Sequence, residues 1–261
     1  MAVINAAAFR AMLKLPRIRR LLVIAAVVAV MLFGWHWLTH EKLPDFTGYI
    51  NTKDKKAAFF SYLLPKVQAV NAEILDDRKR LLKISDQLND SDSAGFFDDR
   101  FLKKMARYYS FKDIPEKMDQ AFAIMVLKRV DVISPSLVLA QAANESAWGT
   151  SRFARKGNNL FGMHATDGSG MVPKSRGKGQ TFTVAAYNTP QDSLDAYIHN
   201  LNTKGSYRQL RQIRATLRSR DQTISGYALS NGLMNYSERG SAYINELQSM
   251  IRSNKLAQYD K

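Results

Sequence analysis

An apolar segment near the N-terminus constrains this chain more than any other feature. Residues Leu21 to Leu38 read LLVIAAVVAVMLFGWHWL, and His36 is the one residue of the segment that could carry a charge. As a helix, a segment of this length spans roughly 27 Å, close to the thickness of a bilayer core. Trp35 and Trp37 lie at its distal end, where membrane proteins carry an aromatic belt. The segment therefore predicts an N-terminal transmembrane helix at residues 21–38.

Positive charges before this segment predict its orientation. Residues 1–20 contain Arg10, Lys14, Arg17, Arg19 and Arg20 and no acidic residue. By the positive-inside rule, residues 1–20 form a basic cytoplasmic N-terminus of a single-pass protein of the bacterial inner membrane. The rest of the chain is then expected in the periplasm. The absence of cysteine suits a periplasmic domain without disulfides, and it excludes zinc–thiolate sites and a catalytic thiol.

The apolar segment has two other interpretations. A cleaved signal peptide needs a small-x-small cleavage site after its apolar core, whereas the sequence continues as GWHWLTH. A buried core helix does not account for the basic flank or for the tryptophans at one end. The uncleaved anchor is the preferred interpretation.

The remainder of the chain predicts a short linker and one mainly helical domain. Residues 39–55 are polar, with Pro44 and Gly48, and are assigned as the linker. Residues 56–261 are assigned as the catalytic domain, and Pro65 is expected to kink or split its first helix. Apolar spacing and capping residues predict helices over Lys56–Leu88, Phe96–Tyr109, Asp119–Val130, Ser134 to about Gly149, Ser193–Asn202, Tyr207–Arg218, Ile224–Gly232 and Ser241–Lys255.

The sequence follows a different pattern between the predicted helices at Ser134 to about Gly149 and at Ser193–Asn202. Residues 160–165 are predicted as a strand, residues 166–179 as a glycine-rich loop, and residues 180–187 (QTFTVAAY) as a second strand. These segments predict a small β-hairpin lobe. The expected fold class is therefore α+β, mainly α.

Glu145 is a candidate acid on electrostatic grounds. It lies at the C-terminal end of the helix that Ser134 and Pro135 begin. The negative end of a helix dipole and partial burial beside Trp148 both disfavour an ionised carboxylate, so both favour a protonated side chain. A protonated carboxyl group in a carbohydrate cleft can protonate a leaving glycosidic oxygen. A solvated carboxylate at a helix end is the plainer interpretation of this position taken alone.

The residues around Glu145 resemble a known family of enzymes. The string SPSLVLAQAANESAWGTSRFA, followed by GNNLFG, is similar to the glucosaminidase domain of glycoside hydrolase family 73, and specifically to its Bax-like bacterial subgroup. That family's pattern is a helix ending in E-S-small-W-G, a short basic linker and then N-L/F-F-G. Further matches are YNT at residues 187–189 and YSERGSAY at residues 236–243. The resemblance covers residues 55–255 and implies a lysozyme-like fold and cleavage of the β-1,4 bond after N-acetylglucosamine in peptidoglycan.

The resemblance also implies roles for individual residues. Glu145 would be the general acid, and Tyr236 would reach into the cleft near the reacting sugar. Asn159 and Phe161 would shape the turn beneath the cleft and contact substrate. Aromatic residues beside a cleft serve as often for core packing as for sugar binding. Substrate-binding roles are therefore predicted, with packing as the alternative, for Trp148 and Tyr187 and for the ring of Phe161.

The sequence does not identify a single second catalytic group. Most glycosidases use two carboxylates, yet the sequence contains no glutamate between Glu145 and Glu238. Asp167 is the one acid of the predicted hairpin and is a candidate, although Asp-Gly is also an ordinary turn dipeptide. The other candidates are Tyr236 with a water and the substrate's own acetamido group.

Composition sets the remaining expectations. The formal charge of +15 favours anionic partners such as wall polymers or lipid, and the expected partners are peptidoglycan glycan strands and the membrane. No nucleic-acid motif, nucleotide loop, Ser-His-Asp motif or metal-ligand spacing occurs in the sequence, so no cofactor or metal is predicted. Protein partners are not indicated. The alternatives to a glucosaminidase are a muramidase or lytic transglycosylase of lysozyme-like fold and a non-catalytic wall-binding module.

Overall fold

A computed structural model describes residues 20, 23–31, 34, 41–91, 93–166, 168–174, 176–177 and 179–260. The chain divides into two units, residues 1–42 and residues 43–261. In the first unit, residues 23–31 are helical and their side chains are exposed. No helix within the described ranges is both long and apolar enough to cross a bilayer. The predicted anchor at residues 21–38 falls partly outside the described residues, as does nearly all of the predicted cytoplasmic segment.

The described part of the second unit is mainly helical. Its helices, numbered here in chain order, are α1 Thr52–Ser91, α2 Phe96–Tyr108, α3 Gln120–Leu127, α4 Pro135–Ser146, α5 Arg152–Gly157, α6 Pro190–Thr203, α7 Arg208–Ser219, α8 Gly226–Ser230 and α9 Ser241–Ser253. Short 3-10 turns lie at Gly205–Tyr207 and Leu256–Tyr259. The predicted helices are confirmed to within a few residues at their ends, and α5 occupies what was expected to be a basic linker.

Helix α1 is longer and more continuous than its sequence predicts. Pro65 lies within it, and the helix continues without a break to Ser91, so the predicted split is wrong, whereas the alternative of a kink stays a prediction. The buried face of α1 packs on α3 and α4, and this tertiary packing outweighs the hydrogen bond that proline cannot donate. Residues assigned to the linker also contribute to the core, because Leu43 and Phe46 are buried.

Helix α4 is the central helix of the domain. Ser134 caps it by accepting a hydrogen bond from the Leu137 N–H, and Pro135 occupies its first turn, as the sequence predicts. Most of its side chains are buried, and it contacts α1, α8 and α9. Its C-terminus is abrupt because Ala147, Trp148 and Gly149 all have positive φ angles, of 50°, 60° and 75°. The helix therefore ends one residue after Glu145.

The predicted β-hairpin is confirmed only as isolated bridges. Val184 pairs antiparallel with His164 on one side and with Met171 on the other. The predicted strand start at Leu160 is wrong, because the chain turns through Asn158 and Gly162, whose φ angles are 50° and 66°. Residues 160–162 therefore form a tight turn beneath the cleft, and extended pairing begins only after it.

Candidate active site

One open cleft of about 900 Å³ contains Glu145. Its walls come from the turn at residues 161–166, the bridge segment at residues 185–187 and one face of α6. Tyr207 and Tyr236 contribute from the helices that follow. The volume lies in the range of sites that enclose small organic ligands, and the lining combines aromatic, hydroxyl and amide groups with small apolar side chains.

Glu145 is half-buried at the end of α4. Gly162 lies opposite its carboxyl group, and a Cβ atom built on Gly162 would lie 3.8 Å from Glu145 Oε2. Gly162 adopts a φ of +66°, which glycine tolerates without strain. The turn therefore approaches Oε2 without placing a side chain in front of it.

A hydrogen-bond chain holds the other oxygen of Glu145. The Tyr243 hydroxyl donates to Glu145 Oε1 at 2.7 Å, and Asn144 Nδ2 donates to the same oxygen at 3.3 Å. Gln141 Nε2 in turn donates to the Tyr243 hydroxyl at 2.9 Å. The buried Tyr197 hydroxyl donates to Gln141 Oε1. The carboxyl group is thus fixed through one oxygen, and Oε2 is left toward Gly162 and the cleft.

Burial raises the pKa of Glu145 above its ordinary value. The hydrogen bonds from Tyr243 and Asn144 oppose that rise because they stabilise the carboxylate, and the neighbouring charge of Glu246 adds to it. Position at the C-terminal end of α4 acts in the same direction as burial. The environment therefore shifts the pKa of Glu145 toward the protonated form, which is the form a general acid needs.

The predicted residues Tyr236, Phe161 and Asn159 lie together beside the cleft. The Tyr236 hydroxyl donates to the Phe161 carbonyl oxygen at 3.0 Å, and its ring stacks on Tyr243 with centroids 5.5 Å apart. The Phe161 ring is buried and stacks on Tyr197 at 3.8 Å. Tyr236 and Phe161 thus line the cleft and also hold the turn that faces Glu145.

Asn159 shapes this turn from beneath. Its side-chain amide donates to the carbonyl oxygens of Met163 and Ala185, both at 2.8 Å. Its Oδ1 accepts hydrogen bonds from the Phe161 and Met163 N–H groups. Asn159 is buried and does not line the cleft in the described part of the chain, so its predicted contact with substrate has no counterpart in this geometry.

Two other predicted site residues, Tyr187 and Trp148, differ in their relation to the cleft. Tyr187 lines the cleft and is half-buried. Trp148 lies outside the described cleft lining and packs edge-on against Phe60 with centroids 5.3 Å apart, with the Lys56 ammonium 4.7 Å from its ring centroid. Asp167 lies outside the described residues.

Several side chains of the site were not singled out from the sequence. Neither Tyr243 nor Gln141 was predicted to belong to the site, although Gln141 lies one turn before Glu145 on the same face of α4. A polar residue in the apolar run LVLAQAA was the available signal. His199 and Asn200 lie on the cleft face of α6. The sequence did not indicate which face of that helix would line the cleft.

The geometry of the site suits general acid catalysis on a glycosidic bond. A carboxyl group whose pKa is raised by burial, and which is fixed through one oxygen and open to a large cleft through the other, is suited to deliver a proton to a glycosidic oxygen. Among the described residues that line the cleft, Glu145 is the one carboxylic acid.

Comparisons with known proteins specify the family. The model of the glucosaminidase family, described as mannosyl-glycoprotein endo-beta-N-acetylglucosaminidase, matches residues 120–256. Protein bax of Escherichia coli (strain K12) is 34% identical over 217 residues, which cover 82% of this chain and 75% of that protein. The catalytic domain of the autolysin Auto from Listeria monocytogenes is 20% identical, with a TM-score of 0.38 over 70% of this chain and 87% of that chain. This chain belongs to the glucosaminidase family and is a glycoside hydrolase of the endo-β-N-acetylglucosaminidase type.

Proposed function

We propose that this protein hydrolyses the β-1,4 bond after N-acetylglucosamine in the glycan strands of peptidoglycan, with Glu145 as the general acid. The observation that carries the proposal is the environment of Glu145, which is half-buried in the cleft and bonded through Oε1 to Tyr243. Membership of the glucosaminidase family supports the bond type. The family-73 motifs at residues 145–149 and 159–162 support peptidoglycan as the substrate.

The hydrogen bonds around Glu145 favour one oxygen as the acid. Oε1 accepts from Tyr243 and Asn144, so the carboxyl proton is more stable on Oε2, which faces Gly162. Glu145 gives this proton to the bridging oxygen as the bond to the anomeric carbon breaks, and the leaving sugar departs as an alcohol. A water attacks the anomeric carbon and gives up a proton, either to Glu145 itself or to a second base, in which case Glu145 regains its proton from solvent.

The group that assists at the anomeric carbon has three candidates. They are Asp167, Tyr236 with a water, and the acetamido group of the substrate. Because the Tyr236 hydroxyl donates to the Phe161 carbonyl oxygen, its proton is already engaged, which favours the acetamido group or Asp167. The variant Asp167→Asn separates these two, because it retains activity if the acetamido group assists and loses activity by about 100-fold or more if Asp167 is the base.

Dye release from labelled peptidoglycan sacculi tests the proposal. The full-length protein is expected to release soluble fragments, and Glu145→Gln is expected to release none. Glu116→Gln is the matched control, because Glu116 is exposed and lies outside the cleft. Equal activity of wild type and Glu145→Gln would remove Glu145 from the mechanism, and binding to sacculi without release by the wild type would favour a wall-binding module.

We further propose that residues 21–38 tether the enzyme to the inner membrane with residues 39–261 in the periplasm. The support is the sequence alone, namely the apolar run, its basic flank and its distal tryptophans. Protease added to spheroplasts is expected to digest the enzyme domain. When untreated cells are fractionated, the protein is expected in the membrane fraction. Release of the protein by osmotic shock would instead indicate a cleaved signal peptide.

A further inference from the structure

Asn200, one of the residues that line the cleft, contains an unsatisfied hydrogen-bond acceptor. Its Oδ1 is the one buried side-chain nitrogen or oxygen atom without a hydrogen-bond partner among the residues that the structure describes. The residue is 7% exposed and lines the same cleft as Glu145. Buried polar atoms in native proteins are almost always paired, so this atom calls for a specific explanation.

Asn200 lies on the face of α6 that lines the cleft. The residues of α6 that line the cleft follow steps of three and four, which identifies one face of the helix, namely Ala196, His199, Asn200 and Thr203. The opposite face of α6 is buried in the core. Its residues there are each at most 1% exposed, namely Leu194, Tyr197, Ile198 and Leu201. Asn200 is therefore at the boundary between core and cleft, where a polar group can meet a bound ligand.

Neighbouring side chains engage the opposite end of the Asn200 amide. Nδ2 lies 3.7 Å from the Met163 sulfur, a weak acceptor. The side chain also hydrogen-bonds the Tyr207 hydroxyl, which limits the rise that burial causes in the pKa of Tyr207. The amino group of the amide thus has contacts and the carbonyl oxygen has none, so the missing partner is a hydrogen-bond donor.

The surroundings of Asn200 indicate which donor would fit. Small apolar side chains line the same cleft, from Ala185, Ala186 and Ala196, and the thioether of Met163 contacts Asn200. A thioether adapts well to a small apolar group. An acetamido group presents an N–H donor and a methyl group a few ångströms apart, whereas a sugar hydroxyl presents no methyl group.

We propose that Asn200 Oδ1 accepts a hydrogen bond from the acetamido N–H of a sugar bound beside Glu145, with the acetyl methyl group against the alanine wall. This inference rests on the proposed function, because it assigns a specificity-determining residue for the same reaction. Leaving a buried acceptor unpaired disfavours any analogue without the donor. Asn200 thereby selects acetamido sugars over sugars that lack the N–H group.

The test compares two synthetic chitooligosaccharides that differ in one group. One carries the natural acetamido groups, and the other carries 2-O-acetyl esters, which keep the carbonyl and methyl groups and lack the N–H. Their binding to the full-length protein is measured by calorimetry, and their cleavage is measured separately as kcat/KM. Wild type is expected to prefer the acetamido compound by about 10- to 100-fold in both measurements, following the discrimination typical of a lost hydrogen-bond donor.

The variant Asn200→Leu removes the acceptor and keeps a similar volume. Its preference between the two compounds is expected to fall to within about threefold of unity, mainly through weaker binding of the acetamido compound. If the leucine does not fit, Asn200→Ala provides the same comparison without added bulk. His199→Ala, on the same face of α6, is the matched control and is expected to keep the wild-type preference.

The outcomes are distinct. Equal losses for both compounds in the Asn200 variants, with the preference retained, would overturn the proposal and leave Asn200 a packing residue. Absence of cleavage by wild type would count against the proposed function, whereas the calorimetric preference would still decide the role of Asn200.

Discussion

Replacing Tyr243 with phenylalanine tests the assignment of Glu145 through its nearest neighbour. The variant removes the hydroxyl that donates to Glu145 Oε1 at 2.7 Å and keeps the ring that stacks on Tyr236. A hydrogen bond to a charged group contributes about 1.5–3 kcal/mol and one to a neutral group about 0.5–1.5 kcal/mol. Because Glu145 becomes a carboxylate as it gives up its proton, this bond strengthens during the reaction. Its loss is expected to lower kcat by about 5- to 30-fold, which corresponds to about 1–2 kcal/mol.

The pH dependence gives a second and more specific readout. A general acid works when protonated, so kcat/KM falls as the pH rises through the pKa of Glu145. Burial raises the pKa of Glu145, and the Tyr243 hydrogen bond holds that rise back. Removing the bond therefore raises the pKa further. In Tyr243→Phe, the alkaline limb of the profile is expected to move to higher pH while the maximum rate falls.

Tyr236→Phe is the matched control for this prediction. Its hydroxyl donates to the Phe161 carbonyl oxygen and not to Glu145, so its removal is expected to leave the alkaline limb in place even if the rate falls. The profiles are measured on chitooligosaccharides from pH 4 to pH 9. An alkaline limb that stays fixed or moves to lower pH in Tyr243→Phe would refute the proposed acid role of Glu145 or its bond to Tyr243.

Three further predictions concern stability. Asp131 is buried and ion-paired to Arg214 and Arg218, so Asp131→Asn is expected to cost about 3–5 kcal/mol in urea unfolding. Burial alone would raise the pKa of Asp131, but the Arg218 hydrogen bond and the arginine charges lower it overall. The stabilisation by these ion pairs is therefore present near neutral pH and is lost only as the pH falls through the lowered pKa of Asp131. Because the pKa of Glu145 is raised in the folded protein, ionisation of Glu145 destabilises the fold. Glu145→Gln is therefore expected to melt at a higher temperature than wild type at pH 8, and the difference is expected to close below about pH 4.3. A lower melting temperature for Glu145→Gln than for wild type at pH 8 would contradict the burial argument. Asp260 accepts hydrogen bonds from the N–H and hydroxyl groups of Ser136 at the start of α4 and from the Gly226 N–H at the start of α8. Asp260→Ala is expected to cost about 1–3 kcal/mol in the same assay, whereas a change below about 0.5 kcal/mol would show that these groups find other partners.

Local sequence signals predicted the helices well. The serine and proline at the start of α4 and the spacing of apolar residues in α1 are contained within single elements, so they could be recognised without the fold. Glu145 could be singled out from its position at a helix end together with the family motif around it, and both are properties of one short segment. Pro65 misled the prediction because core packing, which is a tertiary effect, keeps α1 continuous.

Contacts between distant segments could not be predicted. Tyr243 is 98 positions from Glu145 along the chain, and their hydrogen bond depends on how α9 packs against α4. Trp148 was expected near substrate, yet the positive φ angles at the end of α4 direct the chain so that its ring packs on α1. The turn at Asn159 depends on carbonyl groups from the paired segment as far away as Ala185, which no local pattern reports.

The most direct test of the central claim is the chemical identity of the sugar ends that the enzyme creates. Purified peptidoglycan is digested with the full-length protein, the new ends are reduced with borohydride, and the fragments are identified by mass spectrometry. We expect new reducing ends of N-acetylglucosamine with wild type and none with Glu145→Gln. Reducing ends of N-acetylmuramic acid would establish a muramidase, and anhydro-muramic ends would establish a lytic transglycosylase. Either result would contradict the proposed glucosaminidase reaction.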